Sequence, residues 1–167
     1  MYSKTKKMII TSLLAALACV ATMIVKIPSP LNGYINLGDC IVLVTAFLLS
    51  PGYGFAAAGL GSALADLLSG YIVYAPATFL IKGIMALIVF FCFRLLHKKI
   101  GKLPARLIGG ILAEFFMILG YFLFEGILYS FSSSLVNIPL NCIQGAVGLT
   151  LGLILVNFFE KAGIHTN

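Results

Sequence analysis

Long stretches without a charged side chain are the feature that most constrains this sequence. No Asp, Glu, Lys or Arg occurs from residue 8 to 25, and none occurs from residue 126 to 159. Across the 167 residues, 61% are apolar and 10% are charged, whereas soluble domains average about 45–50% apolar and about 25% charged residues. A soluble domain of this size exposes too much of its surface to hide that much hydrocarbon. The sequence therefore predicts an integral membrane protein.

Pro, Gly, Asn and charged residues divide the sequence into six apolar segments, and each segment is interpreted as a helix. A membrane-spanning helix needs roughly 20 residues, so six helices use nearly the whole chain and predict one membrane domain over residues 1–167. The second and third segments are short, which favours tilted or partly buried helices. The expected fold class is an all-α bundle of six transmembrane helices, at about residues 8–26, 37–49, 55–70, 77–96, 107–128 and 135–159.

The basic residues predict the orientation of the bundle. In a membrane protein, the excess of 11 Lys and Arg over 5 Asp and Glu is interpreted as topology rather than as nucleic-acid binding. If the chain crosses the membrane six times, Lys26 is the only basic residue in the loops on one side. Lys82 lies inside the fourth segment. The positive-inside rule then places both termini in the cytoplasm. Nine basic residues share that side: Lys4, Lys6, Lys7, Arg94, Lys98, Lys99, Lys102, Arg106 and Lys161.

Catalytic and metal-binding motifs are absent from the sequence. The four Cys residues form no CxxC pair, so neither a metal site nor a disulfide framework is indicated. No GxxxxGK[ST] phosphate loop, HExxH or GxSxG motif occurs. We therefore expect neither an enzyme nor a cofactor, and we expect that the chain does not hydrolyse ATP itself.

Polar side chains inside the predicted helices gather toward the external face. Such side chains are costly in a membrane and usually mark function. With a rise of about 1.5 Å per residue, most of them, including Asp66, lie within roughly 15 Å of the external helix ends, and only Glu114 lies clearly in the inner half. The candidate substrate-binding residues are Tyr34, Asn36, Asp39, Tyr74, Lys82, Tyr121, Glu125, Asn137, Asn141 and Gln144.

The spacing of the amides indicates a kind of ligand. Asn137, Asn141 and Gln144 follow an i, i+4, i+7 pattern, which places them on one helix face. Amides beside Tyr residues suit a flat, uncharged or zwitterionic small molecule, whose rings stack and whose substituents form hydrogen bonds. The alternative is structural: Lys82 pairs with Asp66 or Asp39, and the amides only hold helices together.

Three runs of residues resemble a known family. They are residues 34–39 (YINLGD), 62–71 (SALADLLSGY) and 75–83 (APATFLIKG). Together with six helices in a chain of this length, they resemble the S components of energy-coupling factor (ECF) vitamin transporters. The runs are similar to the subgroup associated with riboflavin, pyridoxine-type and hydroxymethylpyrimidine substrates, and they leave the choice among these vitamins open.

The resemblance implies a function and a set of partners. S components bind a vitamin from outside the cell and dock onto a transmembrane coupling subunit that is carried by two cytoplasmic ATPases. It also implies that the loop at residues 27–36 acts as a lid, and that small residues on the first helix contact the coupling subunit. Two registers are offered for that contact, Ser12 with Ala16 and Ala15 with Cys19.

Two other classes of function stay open. A self-sufficient, proton-coupled carrier would use Glu114 with Asp66 or Lys82, although the two halves of the chain share no obvious motif of the kind that inverted repeats produce. A purely structural membrane subunit would use its polar residues only to hold helices together.

Overall fold

The computed structural model describes residues 4–31 and 33–163, so residues 1–3, Asn32 and residues 164–167 of the predicted domain lie outside the description. A hairpin of two short antiparallel strands, β1 (Ile27–Pro28) and β2 (Tyr34–Ile35), follows the first helix. A 3-10 turn at Leu135–Asn137 precedes the last one. The helices are α1 (Lys4–Ile24), α2 (Gly38–Leu48), α3 (Pro51–Leu68), α4 (Ala75–Ile100), α5 (Lys102–Leu128), α6 (Phe131–Ser134) and α7 (Ile138–Lys161).

Four helical stretches are long and apolar enough to cross a membrane. They are α1, α4, α5 and the continuous run Phe131–Lys161, which contains α6 and α7. Large apolar side chains also cover the outer surface of the bundle: Leu13 is 67% exposed, Leu95 is 70% exposed and Ile127 is 80% exposed. An apolar surface of this extent suits lipid rather than water. The chain is therefore a helical membrane protein.

The shortest of the principal helices lies at the centre of the bundle. Ten of the 11 residues of α2 are buried, as expected for a helix that is apolar on all sides. Val42, Leu43 and Phe47 pack in one core with Met85 from α4 and Met117 from α5. α2 is shielded by the other helices, which explains why it need not match the length of a spanning helix.

Glycines allow the helices to approach one another closely. A Cβ on Gly61 of α3 would collide with the backbone carbonyl oxygen of Ala15 on α1, and a Cβ on Gly148 of α7 would lie 2.6 Å from the Cβ of Asp39 on α2. Small residues commonly serve this purpose in membrane bundles. The glycines therefore pack helices within this chain.

Most of the basic residues lie at one end of the bundle, where α4 and α5 meet. The buried Arg106 guanidinium donates to Glu160 of α7 at 2.5 and 3.0 Å and to Asn157 at 3.1 Å, and it lies over the Phe47 and Phe93 rings. The start of α1 belongs to the same end, because α1 runs parallel to α3: Ala15 faces Gly61, and Lys26 after α1 donates to Ser69 after α3. We call this the basic end.

The structure corrects the expected boundaries at the basic end. Residues 97–106 were expected to form a loop, but α4 continues to Ile100 and α5 starts at Lys102. Gly101 alone separates them, with φ at 88°, a conformation that favours glycine. Likewise α3 begins at Pro51 rather than near residue 55, because proline suits the first position of a helix.

Candidate functional site

A polar cavity lies at the end of the bundle opposite the basic end. The volume of the cavity is about 30 Å³, enough for only a few waters, whereas binding sites for small molecules span about 300–1,000 Å³. The cavity must widen before it can take an organic ligand. Fourteen described residues line it: Thr22, Ser29, Gly33, Tyr34, Asn36, Ser62, Asp66, Tyr74, Thr78, Lys82, Tyr121, Glu125, Asn141 and Gln144.

One hydrogen-bond network joins four elements beneath the cavity. The Lys82 ammonium group on α4 donates to Asp39 Oδ1 on α2, and Gln144 Nε2 on α7 donates to Asp39 Oδ2 at 2.7 Å. Gln144 Oε1 accepts from the backbone N–H of Asn36 at 2.9 Å, and Asn36 Oδ1 accepts from the Gly38 N–H at 2.9 Å. Lys82 therefore pairs with Asp39, and the Gln144 amide joins the hairpin to the centre of the bundle.

A second network surrounds Glu125 on α5. Its Oε1 accepts from Asn137 Nδ2 at 2.8 Å. The Tyr74 hydroxyl lies 3.3 Å from the same oxygen and 2.7 Å from the Leu31 carbonyl oxygen, to which it donates. Tyr74 at the start of α4 therefore links this carboxyl group to the hairpin.

Tyr34 of the hairpin reaches across to α3. Its hydroxyl donates to Asp66 Oδ1 at 2.6 Å, and its ring lies 4.6 Å from the ring of Tyr71, centroid to centroid. Burial and the nearby Asp66 carboxyl group raise the pKa of the Tyr34 hydroxyl, so this group remains a hydrogen-bond donor at neutral pH. Asp66 was expected to be one possible partner of Lys82, and its observed partner is Tyr34.

The hairpin covers the cavity, and hydrogen bonds of its described residues hold it to three helices. They join Tyr34 to Asp66 of α3, the Leu31 carbonyl to Tyr74 of α4, and the Asn36 N–H to Gln144 of α7. The covering segment corresponds to the loop at residues 27–36 that was expected to act as a lid. Opening the cavity along this side requires the hydrogen bonds at all three of these points to break.

Two predicted binding residues do not line the cavity. Asp39 is fully buried behind Lys82, and Asn137 is 2% exposed and donates to Glu125. Both hold lining residues in place and are out of reach of a ligand in this conformation. The other eight lie in the cavity wall: Tyr34, Asn36, Tyr74, Lys82, Tyr121, Glu125, Asn141 and Gln144.

Sequence reasoning missed several small lining residues. Thr22, Ser29, Ser62 and Thr78 place hydroxyl groups in or beside the wall, and Gly33 contributes backbone. Hydroxyls of this kind are common both at helix contacts and in turns, so the sequence holds no signal that separates these residues from structural ones. Among the described residues no group of three or more His, Cys, Asp and Glu could hold a metal ion. The hydroxyl, amide and carboxyl groups in the cavity wall are suited to forming hydrogen bonds with a small polar ligand.

The small residues of α1 divide between two faces. Ser12 and Ala16 are exposed, whereas Cys19 is 8% exposed and its thiol points to Met23 Sδ at 3.8 Å. The carbonyl of Ala15 faces Gly61. The Ala15–Cys19 register is therefore occupied by packing within the chain, whereas Ser12 and Ala16 lie on the exposed face of α1.

Comparison with known proteins decides the family. The sequence profile of the ECF-type riboflavin transporter, S component, matches residues 2–161. The chain belongs to this S-component family. The family consists of transporter components and not of enzymes. The match confirms the resemblance that the three runs of residues indicated.

Two further similarities extend over most of the chain. A solved structure described as "Structure and mechanism of the S component of a bacterial ECF transporter" has the same fold, with a TM-score of 0.68 and 22% identity over 95% of this chain and 98% of that chain. An "Uncharacterized protein in gap 3'region" from Pyrococcus woesei is 35% identical over 134 residues, which are 80% of this S component and 87% of that protein.

Proposed function

We propose that this S component is the high-affinity substrate-binding subunit of an ATP-driven ECF importer and captures a flat, water-soluble vitamin or precursor from outside the cell. Riboflavin, vitamin B6 and hydroxymethylpyrimidine are the candidate ligands. The observation that carries the proposal is the polar cavity beneath the hairpin, in a chain of this family. Six membrane crossings with both termini in the cytoplasm are part of the same proposal, since they make the hairpin end extracellular.

Capture begins with movement of the hairpin. When its bonds to Asp66, Tyr74 and Gln144 break, the cavity opens to the outside and can widen. The vitamin ring then stacks beside Tyr34 or Tyr74, and its polar edge meets Asn141 and its neighbours. Closing the hairpin restores these bonds and shields the ligand from water.

Transport then depends on other subunits. Two cytoplasmic ATPases act through a transmembrane coupling subunit, which contacts the exposed Ser12 and Ala16 of α1. ATP hydrolysis tilts the bundle so that the cavity opens inward. The apolar outer surface makes this reorientation tolerable, because few charges on that surface have to cross hydrocarbon.

The test combines ligand identification with a matched pair of variants. The full chain is purified in detergent and denatured, and released molecules are identified by absorbance and mass spectrometry. Binding of the candidate vitamins is then titrated. Asn141→Leu removes an amide from the cavity wall, and we expect its Kd for the bound vitamin to rise by about tenfold or more, the equivalent of one lost hydrogen bond.

The control is Thr150→Leu, which makes the same kind of polar-to-apolar change on an exposed position of α7. It should leave the Kd unchanged. Equal affinities in wild type and Asn141→Leu would remove Asn141 from the site. Failure of all three vitamins to bind, with nothing released from the purified protein, would contradict the receptor function.

A further inference from the structure

A second cavity lies at the basic end, opposite the hairpin. Its volume is about 390 Å³, which is within the range of binding sites for small molecules. We call it the basic-end groove, and it shares no described lining residue with the polar cavity. Four of its residues occur on α4 at the spacing i, i+3, i+4, i+7, which places them on one helix face. The described residues that line the groove are Ala46, Ser50, Pro51, Phe90, Phe93, Arg94 and His97.

The groove changes from apolar to basic along α4. Phe90 lies about one helical turn farther from the basic end than Arg94, because α4 runs toward that end. His97 lies beyond Arg94, nearer to the end of the helix. Ala46 of α2 and Phe93 complete the apolar side. A phospholipid has the same order of polarity, with its headgroup at the membrane surface and its acyl chains beneath.

The positive charge in the groove has no acidic partner among the described residues. Arg94 is exposed and forms none of their ion pairs. Glu160, the acidic residue at the basic end, is paired with two other basic residues and does not line the groove. A guanidinium group in this position is suited to binding a phosphate, because its planar set of N–H donors matches the phosphate oxygens.

Two further features of the groove favour an anion. The His97 ring stacks on the Phe93 ring at 4.9 Å, centroid to centroid, and its Nδ1 donates to the Phe93 carbonyl oxygen at 2.9 Å. Nε2 is therefore left to donate to a ligand when the ring is protonated. In addition, α3 begins at the groove, and the side chain of its N-cap residue, Ser50, makes no capping hydrogen bond. The partial positive charge of a helix N-terminus adds to the attraction.

The groove also borders the apolar outer surface of the bundle. Phe91 and Leu95, which follow Phe90 and Arg94 along α4, are 49% and 70% exposed, and exposed apolar side chains of this kind suit contact with lipid. A small water-soluble anion would pair with Arg94 but would leave the apolar side of the groove unfilled. A lipid supplies both a phosphate and hydrocarbon.

We propose that the basic-end groove binds a phospholipid with an anionic headgroup, drawn from the membrane leaflet at the basic end. Its phosphate lies against Arg94 and His97, and part of an acyl chain packs on Phe90 and Ala46. Basic pockets beside membrane-spanning helices recognise anionic headgroups through the same chemistry. The site is separate from the polar cavity, so the proposal does not depend on which vitamin the chain binds.

The test compares an anionic lipid with a zwitterionic lipid that has the same acyl chains. Dioleoyl phosphatidylglycerol and dioleoyl phosphatidylcholine are titrated into the full chain in detergent, and native mass spectrometry gives the Kd of the first lipid bound. We expect phosphatidylglycerol to bind about tenfold more tightly, the contribution of a hydrogen bond to a charged group. Equal Kd values would overturn the proposal. Glycerol 3-phosphate tests for a free phosphate, and binding as tight as that of phosphatidylglycerol would show that the groove does not recognise a lipid.

A matched pair of variants assigns the preference to the groove. Arg94→Gln and Lys99→Gln each remove one exposed positive charge from the last part of α4, but Lys99 does not line the groove. Arg94→Gln should bring the two lipid Kd values within about twofold of each other, whereas Lys99→Gln should keep a preference of about fivefold or more. An equal loss of preference in both variants would mean that the lipid is attracted by the general charge of the basic end, and the proposal would be wrong.

A protein partner is the other possible occupant, and the same variant distinguishes it. An Arg94→Gln chain whose lipid Kd values match those of the wild type, but which no longer supports vitamin uptake by cells, would assign the groove to another subunit and overturn the proposal. Because the lipid titration uses no vitamin, its outcome is independent of the proposed function. Thermal unfolding of Arg94→Gln in detergent without added lipid should match the wild type, since Arg94 forms no ion pair with the described residues.

Discussion

At the scale of single residues, the buried ion pair between Lys82 and Asp39 leads to a prediction about stability. Both side chains are at most 2% exposed, and removing one partner of such a pair leaves an uncompensated buried charge. We expect Lys82→Met to lower the free energy of unfolding by about 3–5 kcal/mol. The double variant Lys82→Met/Asp39→Asn should recover most of that loss, because the introduced amide is neutral and its oxygen can still accept from Gln144. Denaturant unfolding in detergent measures both.

The control for this pair is Lys102→Met. It breaks the ion pair between Lys102 and Glu160 at the basic end, where the lysine side chain is 64% exposed, so its cost should stay within about 1 kcal/mol. Equal destabilisation by Lys82→Met and Lys102→Met would mean that the pair beneath the cavity is not effectively buried.

The sequence predicted most of the polar residues that line the cavity but not the direction of every side chain. The i, i+4, i+7 spacing placed Asn137, Asn141 and Gln144 on one face of a continuous helix. In the structure Asn137 ends the 3-10 turn and α7 begins at Ile138. Asn137 therefore lies at the junction before α7, and its amide donates to Glu125 of α5 instead of lining the cavity. A change of helix type of this kind is not visible in an apolar pattern.

At the scale of helices, the apolar pattern predicted roughly which residues are helical, but it did not predict which helices contact one another. The basic residues near 101 were interpreted as a loop, since charge and glycine usually punctuate helices. In the structure Gly101 alone separates α4 from α5. Arg106 lies inside α5 and contacts α2, α4 and α7. The long side chain reaches these partners through tertiary packing, which local sequence patterns do not encode.

The close contact between α1 and α3 leads to a prediction at this scale. Gly61→Ala places a methyl group against the Ala15 carbonyl and the Ala18 side chain, so the two helices must separate. Overpacking of this kind costs about 1–3 kcal/mol, and thermal unfolding in detergent should show the loss. Gly52→Ala in the same helix meets nothing within 4 Å and should be neutral or stabilising by up to about 1 kcal/mol. Equal stability of the two variants would contradict the close packing.

At the scale of the whole molecule, the two ends of the bundle differ in chemistry, and this difference predicts how it sits in a membrane. The cavity and its hairpin occupy one end, and the cluster of Lys and Arg residues occupies the other. Basic residues are retained on the cytoplasmic side, whereas a receptor for external vitamin must open outward. Membrane insertion and the proposed function therefore require the same orientation, although they depend on different residues.

Cysteine labelling in intact cells tests this orientation. In a background without the four native cysteines, Ser132→Cys places a thiol at the cavity end and Lys99→Cys places one at the basic end, and both positions are exposed. A membrane-impermeant maleimide should label the first variant in intact cells and the second only after the membrane is permeabilised. Since the permeabilised sample shows that each thiol can react, failure to label is attributable to sidedness. The reverse pattern would place the cavity in the cytoplasm, where it could not capture a vitamin from outside.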